Sequence, residues 1–173
     1  VARFAGGMEY GPRALGNRSI FAPAGDCSIH QRLNRLLRRD DFMPFAPVVR
    51  EEDIEACCRN TVKAGYSASF MNVSFQSTDY FRRRCPAVVH RDGTTRPQIV
   101  SRAHNRSLHT VLSEYKRITG IPGFINTSFN IHEEPIVCSP DDAVRSFRNA
   151  GIEYLAIENF LVQKEAVGNE KMG

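Results

Sequence analysis

Short apolar runs alternate with amphipathic segments along the whole chain, and this alternation predicts interleaved strands and helices. The predicted strands are 1–4, 19–22, 46–50, 70–74, 87–90, 95–101, 123–126, 154–157 and 160–163. Strands and helices interleaved at this density favour an α/β or mixed α+β fold built on a mixed sheet.

Helical spacing is evident in three longer segments. In 28–39, Ile29 and Leu33 begin one apolar face, and 108–118 repeats apolar residues before a stop at Gly120. Ser139-Pro140-Asp141-Asp142 combines a cap, a first-turn proline and an acid three residues after the cap, which predicts a helix running to Gly151. Shorter helices are predicted at 51–60 and 78–84.

The end of the chain predicts an antiparallel part of the sheet. Glu158-Asn159 separates the last two predicted strands, and a two-residue connection is typical of a hairpin. Residues 1–165 are predicted to form one domain, and 166–173 a disordered tail. Because the chain opens on Val1 inside an apolar run, we expect it to be a fragment of a longer polypeptide.

Composition narrows the class of protein. The 173 residues are 42% hydrophobic and 24% charged, with no apolar run of membrane-spanning length and no leader, so we expect a cytoplasmic protein. The 5 cysteines are odd in number and form no CxxC pair, which favours reduced thiols. No metal-ligand spacing is present, so no metal-binding residue is predicted.

The net charge of +4 comes mostly from arginine, with 19 Arg against 4 Lys. Guanidinium groups hold phosphate and carboxylate in a bidentate manner, so this bias suits anionic ligands. An ordinary solvated surface is the alternative interpretation.

A glycine-rich segment at 6–19 concentrates candidate ligands. Its glycines let backbone approach an anion, and Arg13 and Arg18 could close on it. The spacing is not that of a Walker A loop. The alternative is a simple loop in which Glu9 pairs with Arg13.

Three further segments carry polar groups that could reach a ligand. The helix at 28–39 has a face of arginines, which either binds an anionic ligand or is an ordinary solvated surface. The apolar stretch at 42–47 that follows is interpreted as part of the packing. A turn at Asp92-Gly93 precedes a strand that would place Arg96 and Gln98 on one face. The run 125–130 is a strand that ends in small polar groups. These groups could bind phosphate or ribose, or they could stabilise a turn by local hydrogen bonds.

Five blocks together resemble the C-terminal region of the NodU/CmcH/TobZ carbamoyltransferases. They are MEYGPRALGNRSI, DDFMPFAPVV, AVVHRDGTTRPQIV, GIPGFINTSFNIHEEPIVCSPDDAVRSF and LAIENFLV, in the family's order from position 1 to about 164. The resemblance implies a YrdC-like domain, with a curved mixed sheet flanked by helices around an open cavity. It also implies an actin-like N-terminal domain elsewhere in the polypeptide.

The implied activity is formation of carbamoyl-adenylate from carbamoyl phosphate and ATP with Mg²⁺, followed by transfer to an acceptor hydroxyl by the N-terminal domain. Carried onto this sequence, the family's pattern assigns roles to these residues: Arg13 and Arg18 would grip phosphate, Arg96, Ser128 and Asn130 would line the site, and His90 and Asp92 would form its rim. Arg38 stands where many members have Lys, and Met43 where many have Arg, with Arg39 as a possible substitute.

Two other hypotheses remain open. A YrdC-like module that binds RNA or nucleotide without catalysis is favoured by the isoelectric point of about 8.9. The modest net charge and the lack of interleaved aromatic and basic residues argue against nucleic acid as a partner. A domain that has lost catalysis is suggested by Met43.

Overall fold

The computed structural model describes residues 1–38, 44–131 and 133–165. The strands are β1 (Ala2–Phe4), β2 (Arg18–Pro23), β3 (Ala46–Arg50), β4 (Phe75–Gln76), β5 (Thr94–Thr95), β6 (Gln98–Val100), β7 (Gly123–Ser128), β8 (Tyr154–Ile157) and β9 (Phe160–Gln163). The helices are α1 (Ser28–Leu37), α2 (Ile54–Cys57), α3 (Asp79–Arg84), α4 (Arg106–Thr119) and α5 (Pro140–Asn149). Short 3₁₀ segments lie at Glu51–Asp53, Val62–Phe70 and Pro86–Val88.

One mixed sheet organises the domain. Its seven strands run in the order β6-β3-β7-β2-β1-β8-β9, and β4 pairs separately with β5. The pairs β3–β6 and β1–β8 are parallel, whereas the other neighbours in the large sheet are antiparallel. The predicted mixed α/β architecture with flanking helices is therefore confirmed, and the sheet is open. The predicted terminal hairpin is confirmed as well, with Ile157 opposite Phe160.

Apolar side chains pack on both faces of this sheet. Leu108 and Leu112 of α4 pack with Phe124 of β7 in one core cluster. The neighbouring Ile125 belongs to a second, larger cluster that also holds Phe147 of α5 and the buried leucines of α1. Because successive residues of a strand point to opposite faces, β7 supplies both clusters.

The close approach of β3 and β7 depends on a glycine. A Cβ at Gly123 would lie 2.4 Å from the carbonyl oxygen of Val48. Since real Cβ atoms do not approach backbone that closely, any other residue would push these strands apart at the start of β7.

The helix at 140–149 begins as predicted. Ser139 Oγ accepts from Asp142 N at 3.1 Å, and the Asp142 carboxylate accepts from Ser139 N at 3.0 Å, which completes a capping box. The helix ends at Asn149, two residues before the glycine expected to stop it.

Two predicted strands are wrong. The segment 70–74 begins at the last residue of the 3₁₀ segment Val62–Phe70, and the first two residues of 87–90 lie in the 3₁₀ turn Pro86–Val88. Apolar content alone does not define a strand, and Pro86 suits the first position of a helical turn, where its missing N–H is not needed. The turn at Asp92-Gly93 exists, with Gly93 N donating to His90 O at 2.9 Å, but β5 pairs with β4 rather than with 87–90.

The predicted strand 95–101 is split by Pro97. β5 ends at Thr95 and β6 begins at Gln98, so Arg96 and Gln98 do not share one strand. The predicted helix 51–60 is also shorter, since the α-helical part spans only Ile54–Cys57. Across the described ranges, no helix has the length and apolar character that a membrane crossing requires. The predicted tail, 166–173, lies outside the described residues.

Candidate functional site

The glycine-rich segment forms a loop between β1 and β2, here called the glycine loop (residues 5–17). Side chains rooted in the sheet donate to its backbone carbonyls. Arg3 Nη1 donates to Gly16 O at 2.5 Å, Gln98 Nε2 to Leu15 O at 2.5 Å, and Asn126 Nδ2 to Ala14 O at 3.2 Å. The loop is therefore held against the sheet on the C-terminal side of Arg13.

Glu9 stabilises the same loop from within. Its Oε1 accepts from Leu15 N at 2.8 Å and from Asn17 N at 2.5 Å. Because Glu9 is bonded to these backbone amides, it does not form the ion pair with Arg13 that was the alternative interpretation of the loop. Within the described residues, neither Arg13 nor Arg96 makes an ion pair or a hydrogen bond.

Arg13, Arg96 and Ser128 line one cavity of about 240 Å³, here called the arginine cavity. They come from the glycine loop, the β5–β6 connection and the end of β7, respectively. The rest of the wall is formed by Pro12, Ala14, Pro44, Phe45, Ala46, Met71, Asn126 and Thr127. Three of the arginines and hydroxyls predicted from separate parts of the sequence therefore meet in space.

The cavity is electropositive. Burial lowers the pKa of Arg96 below its ordinary value, and the charge of Arg13 lowers it further. Guanidinium groups stay protonated in proteins, so the cavity holds a half-buried cation that is also repelled by a second cation nearby. An anion entering the cavity would relieve that repulsion.

The polar groups at the end of β7 are bonded to each other. Ser128 Oγ donates to Asn130 Oδ1 at 2.6 Å, and Asn130 Nδ2 donates to Glu134 O at 2.8 Å. Ser128 lies in the cavity wall, whereas Asn130 holds the turn behind it. Ser128 therefore belongs both to the cavity wall and to a locally bonded turn, and the implied role of Asn130 in lining the site stays a prediction.

Arg18 is placed differently from Arg13. It is only 4% exposed, its guanidinium donates to the carbonyls of Ala5 and Gly6 at 3.0 Å each, and it stacks 3.6 Å from the centre of the Phe4 ring. It is not part of the cavity wall. Its implied role in gripping phosphate stays a prediction, while its contacts fix the start of the glycine loop.

His90 and Asp92 form a turn outside the cavity wall. Asp92 Oδ1 accepts from Thr94 N at 2.9 Å and from Thr94 Oγ1 at 2.7 Å, and these bonds lower the pKa of Asp92. Arg38 is exposed at the end of α1 in a left-handed conformation, with φ of 53°. Arg39 and Met43 lie outside the described residues, so their implied roles stay predictions.

A family model for the carbamoyltransferase C-terminus matches residues 1–164. The chain belongs to this family. An uncharacterized protein of Methanocaldococcus jannaschii is 39% identical over 95% of the chain and 27% of its own length. Nodulation protein NolNO of Sinorhizobium fredii is 37% identical over 95% of the chain and 24% of its length. Nodulation protein U of Rhizobium tropici is 34% identical over 96% of the chain and 28% of its length.

The chain thus spans about a quarter of the length of these curated relatives. What the family match establishes is a carbamoyltransferase C-terminal domain. The YrdC likeness of its fold is tested by neither the family match nor these relatives and stays a prediction.

Sequence reasoning missed two parts of this carbamoyltransferase C-terminal site. Residues 44–46, interpreted as packing, contribute an apolar part of the cavity wall. Asn126 was one of several polar residues near a strand end, yet it is 2% exposed and its Oδ1 has no hydrogen-bond partner in the described chain. Its spacing of two from Ser128 puts both on one face of β7, which is the signal that could have singled it out.

Among the described residues, no group of three or more histidines, cysteines, aspartates or glutamates gathers where a metal ion could sit. These residues thus form no dedicated protein cage for Mg²⁺.

Proposed function

We propose that this domain binds carbamoyl phosphate and ATP in the arginine cavity and forms carbamoyl-adenylate for transfer to an acceptor hydroxyl. The observation that carries the proposal is the convergence of Arg13 and Arg96, without acidic partners in the described chain, on one small cavity. Membership of the carbamoyltransferase C-terminus family supports the choice of carbamoyl chemistry.

The chemistry needs cations more than it needs a nucleophilic side chain. Carbamoyl phosphate loses its phosphate to water and leaves carbamate. A carbamate oxygen then attacks the α-phosphorus of ATP, the bond to the bridging oxygen breaks, and pyrophosphate leaves. Both reactants are anions, so their approach is opposed unless fixed positive charge offsets the repulsion. Arg13 and Arg96 would supply that charge, already oriented before the ligand arrives.

Mg²⁺ would arrive on the phosphates of ATP, which is a usual mode for this ion. It would neutralise phosphate charge there. The chain's own contribution is to hold the phosphate oxygens against the two guanidinium groups. We place the reaction in the cytoplasm, because the 5 cysteines are all free and suit a reducing compartment.

The acceptor and the second domain belong to the whole protein. By resemblance, an actin-like N-terminal domain would take the carbamoyl group from carbamoyl-adenylate to a hydroxyl. Two of the relatives are named nodulation proteins, which supports an acceptor that takes part in nodulation.

Isothermal titration with carbamoyl phosphate, and separately with ATP and Mg²⁺, tests the binding step. We expect measurable binding by the wild-type chain and a loss of roughly ten-fold or more in affinity in Arg13→Ala and in Arg96→Ala, because each removes a charge-assisted bond. Arg35→Ala is the matched control, since Arg35 is an exposed arginine of α1 outside the cavity wall.

Absence of heat with both ligands would overturn the binding proposal for this chain. Equal weakening in Arg35→Ala would show that net charge, rather than the cavity, attracts the anion. Formation of pyrophosphate by the full-length protein, lost in Arg96→Ala, is the expected catalytic readout.

A further inference from the structure

Two buried amides meet behind the arginine cavity. Gln98 on β6 and Asn126 on β7 are 4% and 2% exposed. Their strands lie on either side of β3, where Gln98 pairs with Val48 and Asn126 with Ala46. Residues paired across strands, or two apart along one, share a face, so both side chains lie on the same side of the sheet.

The hydrogen bonds of this pair allow only one orientation of each amide. Gln98 Nε2 donates to Leu15 O at 2.5 Å, and Asn126 Nδ2 donates to Ala14 O at 3.2 Å and to Gln98 Oε1 at 2.6 Å. A backbone carbonyl can only accept, so each amide must turn its NH₂ group toward the glycine loop. Gln98 therefore fixes which end of the Asn126 amide faces the loop.

This orientation leaves Asn126 Oδ1 as a buried acceptor. This oxygen has no donor within the described chain. Asn126 itself forms part of the cavity wall, together with Thr127 and Ser128. A buried acceptor without a donor is costly and is seldom kept without a reason. An N–H group on a ligand that reaches the floor of the cavity would satisfy it.

We propose that Asn126 Oδ1 accepts a hydrogen bond from the amino group of the carbamoyl donor, and that Gln98 is the positioning residue that presents this oxygen. The inference rests on the proposed function, since it assigns the carbamoyl end of the same site. The two arginines hold the phosphate end, which every acyl phosphate shares, whereas Asn126 distinguishes an acyl group that carries NH₂ from one that does not.

Acetyl phosphate is the matching probe, because it replaces only the NH₂ of carbamoyl phosphate with CH₃. We expect the wild-type chain to bind carbamoyl phosphate roughly ten-fold or more tightly than acetyl phosphate, because the methyl group leaves the buried acceptor unpaired. Inorganic phosphate, titrated in parallel, reports the arginine end alone.

Two variants test the assignment of residues. Asn126→Ala removes the acceptor, and Gln98→Met keeps side-chain length but removes both of its hydrogen bonds. We expect both variants to bind the two acyl phosphates with nearly equal affinity while still binding inorganic phosphate. Ser139→Ala is the control, since it loses the side-chain hydrogen bond that caps the N-terminus of α5, away from the cavity wall, and should keep the full preference.

The preference itself, rather than stability, is the decisive readout, because a merely structural role would weaken all three ligands together. Equal affinity of the wild-type chain for carbamoyl and acetyl phosphate would overturn this inference and leave the proposed function standing. Retention of the preference in Asn126→Ala would overturn it as well. Failure of the wild-type chain to bind any of the three would overturn both proposals.

Discussion

Arg13 and Arg96 come from distant parts of the chain and stand on the wall of one cavity. Burial lowers the pKa of Arg96, and the charge of Arg13 lowers it further, so the two cations repel one another. Neither has an ion pair in the described ranges. Glu9, the acid nearest in sequence to Arg13, is bound to the amides of Leu15 and Asn17. Asp92, the acid nearest in sequence to Arg96, is bound to Thr94. Two unneutralised guanidinium groups held together are a cost that an anionic ligand would offset.

Arg13→Met should therefore separate stability from binding. It removes one of the repelling charges and keeps an apolar stem, so we expect the free energy of unfolding to stay the same or to rise by up to about 0.5 kcal/mol. Urea denaturation at low and high salt checks this, because any gain should shrink as salt screens the repulsion. A loss of more than about 1 kcal/mol would mean that Arg13 contributes structure rather than strain.

Phosphate should stabilise the wild-type chain more than it stabilises the Arg13→Met variant. Binding to the folded state alone adds roughly 2.7 kcal/mol at a ligand concentration one hundred times the dissociation constant. Thermal unfolding with increasing phosphate measures the shift, and chloride at equal ionic strength is the control. An equal shift in both proteins would contradict the arginine cavity as the binding site.

Arg18→Met should be far more destabilising than Arg13→Met. Arg18 is buried, donates to the carbonyls of Ala5, Gly6 and Asn17, and lies over the Phe4 ring, so its replacement removes three charge-assisted hydrogen bonds and this ring contact together. We expect a loss of about 2–4 kcal/mol in the free energy of unfolding, measured by urea denaturation. Unchanged stability with loss of anion binding would instead support the phosphate-gripping role that the family resemblance implies for Arg18.

Gly16 and Gly7 offer a matched pair within the glycine loop. Gly16 has φ of +119°, and a Cβ there would lie 2.4 Å from Leu108 Cδ2, whereas a Cβ at Gly7 would meet nothing within 4 Å. Gly16→Ala should cost about 2–3 kcal/mol from backbone strain and from the clash with α4. Gly7→Ala should stay within about 0.5 kcal/mol, and similar losses in both would contradict this account of the loop.

The cysteines predict selective labelling and a loss of stability at alkaline pH. Burial raises the pKa of Cys58 and of Cys85 to about 12, and it raises that of Cys57 as well, while Cys27 and Cys138 are exposed. Iodoacetamide near pH 8 should therefore modify the two exposed thiols in the folded chain and all of them in urea, as mass spectrometry would detect.

The pH dependence follows from the same shifts. An unfolded thiol ionises near pH 8.5, whereas the folded chain holds these protons up to about pH 12 for Cys58 and Cys85. The stabilisation is fully present below the unfolded pKa and is lost as pH rises toward the folded one. Urea denaturation between pH 8 and 10 should show a falling free energy of unfolding, and Cys58→Ala should show a smaller fall. A flat profile would contradict the burial of these thiols.

Local signals predicted the elements that depend on local chemistry. The capping box at Ser139 and Asp142, the Gly120 helix stop and the hairpin at Glu158-Asn159 each involve residues close in sequence, and all three are confirmed. Segments 70–74 and 87–90 have the apolar content of strands but fold as turns and 3₁₀ segments. Strand formation needs a partner strand from elsewhere in the chain, and no local pattern records which segments the fold brings together.

The candidate site, too, was predictable in its residue types but not in their arrangement in space. The sequence alone identified Arg13, Arg96 and Ser128 as residues of types that bind anions. Their placement in one cavity, the different placement of Arg18, and the part played by Asn126 were not predictable in this way. Whether a buried arginine contacts a ligand or a backbone carbonyl depends on which carbonyls the fold brings near it.

By itself, the amino-acid sequence determined the mixed α/β class, the main helices and hairpin, the family and the chemical types available for an anion site. These follow from spacing, capping and turn preferences that act within a few residues, and from long motifs kept in order. Only the tertiary structure decided which of those side chains face one cavity. Pairing of β7 with both β2 and β3, and the hydrogen bonds that hold the glycine loop to Gln98 and Asn126, join residues far apart in the chain, and such contacts exist only after the sheet has formed.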